Sequence, residues 1–223
     1  MERTVADQAK HRWWPAVPLI ALALWFMTRE APSSSDAPSA SPGATEPGAS
    51  HTAPAPSARP RASYDPADYA RPVRAYAAEA GVSARLLMAI LYNESYKPHD
   101  PKLERAWQRY KPEAAFGIAN MHRAAFDATK RGRDFAHRRW EELPDDRGLA
   151  IEAAAWHLHD LAAQLPARRS GACTRDELLA LGYNTGASNM LAFARGVTPG
   201  NQAQSYLDRL RNNWGKAGSA LAR

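Results

Sequence analysis

A chain folds only where it has apolar side chains to bury, and this sequence withholds them from one long tract. Residues 31–63, "APSSSDAPSASPGATEPGASHTAPAPSARPRAS", are proline, serine, alanine and glycine with almost no large apolar side chain. Such a stretch gains too little from burial to offset the entropy of ordering its backbone, so it reads as a disordered, partly extended tether. A folded domain must lie elsewhere.

On the N-terminal side of the tract, residues 13–27, "WWPAVPLIALALWFM", form an uncharged apolar block between Lys10, His11, Arg12 and Thr28, Arg29, Glu30. Its length falls between a signal-peptide core and a membrane span of about 20 residues. Basic residues before it favour a cytoplasmic N-terminus with everything downstream exported. Ser35 to Ala37 offer a small-x-small cleavage site with Asp36 in the middle, while the tryptophans at the edges of the block are natural interface residues. The expected organisation is a cytoplasmic terminus at 1–12, a signal-anchor or signal peptide at 13–28, a linker at 29–63 and a folded domain at 64–223. The domain would then sit in the cell envelope, anchored to the membrane outside the cytoplasm, or be secreted if the segment is cleaved.

The single cysteine, Cys173, excludes an internal disulfide framework, so an exported domain has to be stable through packing alone. A domain of about 160 residues can manage this. The formal net charge of +6 attracts polyanions without choosing among nucleic acid, anionic lipid and acidic wall polymers. The sharpest basic run, "KRGRDFAHRRW" at 130–140, interleaves arginines with Phe135 and Trp140. No nucleic-acid-binding module accompanies it, so it reads as a solvated helix face or loop and no nucleic-acid partner is expected.

From residue 65 onward the patterns are helical. Asp65 and Pro66 begin a helix that stops at Gly81, with Pro72 as a point of division or kinking, and Ser83 caps "ARLLMAILYNES". Further helices are expected at Arg123 to Arg131 and over "RGLAIEAAAWHLHDLAAQL", where Ile151, Ala154, Leu158, Leu161 and Leu165 share a stripe. Thr174 and Glu177 have capping-box spacing ahead of a run that closes at Gly182, Tyr183 and Asn184. "SNMLAFARG" and "NQAQSYLDRLRNNW" follow, the latter with Ala203, Tyr206, Leu207, Leu210 and Trp214 facing inward. No strand and no internal repeat is visible. The expected class is all-α.

One helix ends oddly. Counting back from Glu94 gives Leu91, Ile90 and Leu87 at offsets of three, four and seven, so the acid continues the apolar stripe. Held against that face, the carboxyl loses hydration of its charged form and its pKa rises, which is the property of a group that protonates a leaving oxygen. Alternatively the helix end frays and Glu94 turns to solvent or pairs with an arginine. Two other places carry glycines and amides: "FGIAN" at 116–120 and "GYNTG" at 182–186. Taken singly each reads as a turn or a helix cap.

Glu94-Ser95 at a helix end, then Gly117-Ile118-Ala119-Asn120, then Tyr183-Asn184 with Gly186, resembles in order the catalytic domain of the soluble lytic transglycosylases, of the goose-lysozyme-like superfamily. The resemblance extends over roughly residues 70–215. It implies a lysozyme-like helical fold and cleavage of the MurNAc–GlcNAc β-1,4 bond of peptidoglycan to leave a 1,6-anhydro end. Glu94 would be the sole acid and later base, with the sugar's own acetamido group assisting. By the same resemblance Tyr183 hydrogen-bonds near Glu94 and holds it, Asn120 and the backbone around Gly117 and Ile118 contact the glycan, Ser95 supports the site and Asn184 helps fix the tyrosine's turn. The sequence departs from the family at Ala119 and Asn120, where methionine and glutamine are usual, and at Gly182, where alanine is usual.

Two other readings remain. A hydrolysing muramidase needs a second carboxylate, and Asp100, Glu104 and Glu113 follow Glu94 where a loop can bring one across. A wall-binding or assembly protein would keep the fold without the chemistry. His157 and His159 are two apart on a helix and diverge, so no shared metal is expected; nor is a cofactor. The expected partners are peptidoglycan strands and, through the N-terminal segment, a membrane; the protein is expected to be a monomer.

Overall fold

The computed structural model describes residues 64–97 and 99–223. The expected cytoplasmic terminus, apolar block and linker at 1–63 lie outside the described residues. Among the described residues no helix is long and apolar enough to cross a membrane.

Asp65 opens the described chain as an N-cap, its carboxylate accepting from the Ala67 amide at 3.0 Å, with Pro66 at the first position where its missing N–H costs nothing. The segment does divide, at Ala70: a 3-10 turn over Pro66–Tyr69 passes into α1, Ala70–Glu79, and Pro72 falls harmlessly in the first turn of α1. Gly81, at φ +66°, reverses the chain into α2, Ala84–Glu94, where Ser83 accepts from the Leu86 amide. Every residue from Leu86 to Glu94 is buried, so α2 is enclosed on all sides rather than along one stripe.

Four elements that the apolar pattern does not announce follow. α3, Pro101–Tyr110, starts at an Asp100 cap whose carboxylate accepts from the Lys102 and Leu103 amides. β1, Ala115–Phe116, and β2, Met121–His122, pair antiparallel with Phe116 opposite Met121, which corrects the expectation of no strand. A 3-10 turn at Trp140–Glu142 then closes over the hairpin, Trp140 donating its indole N–H to the Met121 carbonyl at 2.9 Å.

The remaining helices are α4 (Arg123–Thr129), α5 (Arg147–Gln164), α6 (Arg175–Thr185), α7 (Ala187–Ala194) and α8 (Asn201–Leu221). Thr174 and Glu177 form the expected capping box of α6, but the helix runs on to Thr185 and ends at Gly186, φ +87°. The inward face of α8 packs along α2. Arg85 donates to the Trp214 carbonyl at 2.9 Å, Asn93 to the Tyr206 carbonyl at 3.1 Å, and Asn213 to the Asn93 side chain at 2.8 Å. Those polar ties fix the register of two long surfaces that apolar contact alone would let slide. The regular structure of the described residues is thus helical apart from one minimal hairpin, an all-α domain.

Candidate active site

Glu94 occupies the last turn of α2 and is only 5% exposed. It neither frays nor meets an arginine. Its Oε1 accepts from the Tyr206 hydroxyl of α8 at 3.0 Å, and its Oε2 accepts from the Asn120 amide of the hairpin turn at 3.0 Å. Burial pushes the carboxyl's pKa above that of a solvated glutamate, opposed by these two hydrogen bonds and by the charges of Lys97 and Arg209. The same burial, reinforced by the Glu94 charge, pushes the Tyr206 and Tyr183 phenols well above their ordinary range, so both remain neutral donors.

The turn that brings Asn120 to the acid is built from unusual backbone. Gly117 sits at φ +72° and Asn120 at φ +49°, and the Asn120 amide donates back to the Gly117 carbonyl at 2.8 Å. Asparagine is among the few side chains that tolerate the left-handed region. A Cβ on Gly117 would stand 2.9 Å from the Leu143 carbonyl oxygen, a backbone atom that cannot swing aside. Asn120 is fully engaged within the protein: its amide nitrogen also reaches the Tyr96 hydroxyl at 3.1 Å, and its oxygen accepts from the Lys97 ammonium. The side chain expected to contact glycan is half-buried and also holds Glu94 from the hairpin turn.

Other expected residues fall elsewhere. The Tyr183 hydroxyl does not reach Glu94; it donates to the Ala119 carbonyl at 2.7 Å and so anchors the Gly117–Asn120 turn from behind. Ser95 caps the end of α2 by donating to the Tyr92 carbonyl at 2.8 Å. Ile118 is a buried core residue, and Asn184 is exposed on α6 with no side-chain hydrogen bond among the described residues, so it does not fix the tyrosine. Gly182 has a packing reason: a Cβ there would lie 2.7 Å from Met190 Sδ, so α6 and α7 meet where alanine would not fit without moving the methionine.

A buried pair supports the site from below. His99, itself at φ +46°, places Nε2 3.1 Å from the backbone carbonyl of Glu94 and Nδ1 3.0 Å from Glu104 Oε1, while Glu104 Oε2 accepts from the Gly117 amide at 2.8 Å. A carbonyl only accepts, so Nε2 carries a hydrogen, and the Nδ1 contact takes its hydrogen from the ring or from the carboxyl. The end of α2, the start of α3 and the hairpin turn are joined through these three bonds. Sequence reasoning raised Glu104 only as a second catalytic carboxylate and overlooked His99 and Lys97. Tyr206 was placed on the inward face of α8 without a role, although a phenol on an apolar face has to find a partner.

The basic run and the paired histidines are tied into the fold. In the 130–140 run Phe135 and Trp140 are buried, Arg133 grips Asp160 through both nitrogens at 3.0 and 2.5 Å, and Arg138 reaches Glu142 and Asp146, each at 2.7 Å. The hollow beside Arg138, Glu142 and Asp146 is lined by mixed charges, most of them in ion pairs, Arg138 with Glu142 and Asp146 and Arg105 with Asp145. His157 lies 3.3 Å from the Thr129 hydroxyl and His159 2.7 Å from the Ala80 carbonyl, on different neighbours. Burial raises the half-buried Cys173 thiol, which keeps it from being a ready nucleophile. No protein-family description, curated protein or solved structure matches the chain.

Proposed function

We propose that residues 64–223 are a lysozyme-like lytic transglycosylase domain, exported and tethered to a membrane, that cleaves peptidoglycan with Glu94 as its acid and base. The observation that carries the reading is a lone carboxyl, 5% exposed, gripped by two neutral donors and shifted by burial toward its protonated form. Such a group holds a proton to higher pH than a solvated glutamate and delivers it to one place.

In the proposed reaction the Glu94 proton passes to the GlcNAc oxygen of the glycosidic bond as the C1–O bond of MurNAc breaks. The MurNAc acetamido oxygen covers C1 as the cation develops. The C6 hydroxyl then gives its proton to the Glu94 carboxylate while its oxygen bonds C1, displacing the acetamide. A 1,6-anhydro ring results, Glu94 is protonated again, and no water is consumed.

The engagement of the other acids favours this over hydrolysis. Asp100 caps α3 and Glu104 is held by His99 and Gly117, so both are occupied within the protein, and Glu113 is exposed with no side-chain hydrogen bond among the described residues to hold it in place as a second catalytic carboxylate. Digestion of purified sacculi followed by mass spectrometry tests the proposal. Anhydro-ended muropeptides are expected from the wild type and none from Glu94→Gln. Ends one water heavier would mean hydrolysis, and retention on sacculi without cleavage would mean a wall-binding protein.

A further inference from the structure

α3 is inside out. Helices in a domain normally turn apolar residues to the core, yet here Glu104 and Gln108 are buried while Leu103, Trp107 and Tyr110 are 67%, 56% and 77% exposed. The rotation is enforced: Glu104 is bonded to His99 and to the Gly117 amide, and turning the helix to hide its apolar stripe would break both bonds. The remaining exposed side chains of the helix include Lys102, Arg105 and Arg109, and every charge that α3 shows to solvent is basic. Arg105 makes a solvent-exposed pair with Asp145 at 3.3 Å.

We propose that this face of α3 is a second membrane contact, seating the domain on an anionic phospholipid surface. A leucine, a tryptophan and a tyrosine on one side of a short helix, flanked by lysine and arginine, match an interface of acyl chain below and phosphate above. Carboxylates and amides, which can both flank a sugar ring and accept from its hydroxyls, are missing from this face, because the two that α3 has, Glu104 and Gln108, are buried. The contact does not depend on the glycan chemistry of Glu94. It would orient the domain against the bilayer where an upstream anchor alone leaves it free to turn.

The test is amide hydrogen exchange on the full chain incorporated in nanodiscs of phosphatidylcholine, with or without phosphatidylglycerol. Binding adds to the free energy of local opening, so peptides covering 101–111 are expected to exchange several-fold more slowly in the anionic discs, with α2 and α8 unchanged. The slowing should vanish at high salt and in the combined variant Leu103→Ser, Trp107→Ser, Tyr110→Ser, whose exposed positions leave the core intact. Equal exchange in the two lipids overturns the proposal. Slowing by added peptidoglycan fragments and not by lipid overturns it in favour of a glycan surface.

Discussion

At Glu94 two influences act against each other, and the balance can be read by substitution. Burial raises the carboxyl's pKa; the Tyr206 and Asn120 hydrogen bonds lower it. Tyr206→Phe removes one of the lowering contacts, so the pH at which activity falls on the alkaline side should move upward, while kcat drops about tenfold because the acid loses its fixed orientation. A pH profile of muropeptide release decides this, and an alkaline limb that moves downward would contradict the assignment. The same burial affects stability. A carboxyl whose pKa is higher in the folded than in the unfolded chain binds more protons when folded, so stability declines as pH rises from the unfolded value through the folded one. Glu94→Gln removes that decline. Thermal melts should show the variant gaining on the wild type steadily from acidic to neutral pH; parallel melting curves at every pH would mean that Glu94 titrates as if solvated.

α3 and the hairpin turn owe their positions to polar atoms, which makes them sensitive to isosteric change. Glu104→Met keeps the length of the side chain but removes both acceptor oxygens, leaving the Gly117 amide and His99 Nδ1 without their partner. The expected loss is about 2 kcal/mol in urea unfolding, the cost of a buried unsatisfied group, and a loss below ~0.5 kcal/mol would show the pair to be dispensable. Gly117→Ala should cost ~2–4 kcal/mol, combining left-handed strain with a Cβ pressed to 2.9 Å from a carbonyl oxygen. The same reliance on polar atoms explains what the sequence leaves hidden. α2, α5, α6 and α8 were legible because their apolar spacing agrees with the packing, helped in the first three by caps at Ser83, Asp146 and Thr174. α3 was not, because its inward positions are Glu104 and Gln108; only Asp100-Pro101 signals its start. The hairpin was illegible because each strand is two residues long, too short for alternation to register. At the site, Glu94 stood out as an acid in an apolar stripe, whereas its partner Tyr206 lies 112 positions away and looks from sequence like any core aromatic.

Across the whole molecule, the buried core of α1, α2 and α4 to α8 and its polar ties lie within residues 64–223, with no disulfide available to hold it. A domain of this size buries roughly 70% of the surface its unfolded chain exposes, enough to fold without staples. Its polar interior is also nearly complete: among the described residues the only buried side-chain atoms without a partner are Tyr64 Oη and Gln108 Nε2. Both sit at the margins, one at the first described residue and the other on the inverted helix. A fragment of residues 64–223 is therefore expected to unfold in one cooperative urea transition that is unchanged by reducing agent, with far-ultraviolet and tryptophan signals coincident. Trp140 reports the packed centre in that experiment, Trp156 and Trp214 its edge, and Trp107 the exposed face of α3. Should the fragment remain unfolded, or should the two signals separate, the core would have to draw on residues upstream of Tyr64, and the division of the chain into a tether and a self-sufficient helical domain would fail.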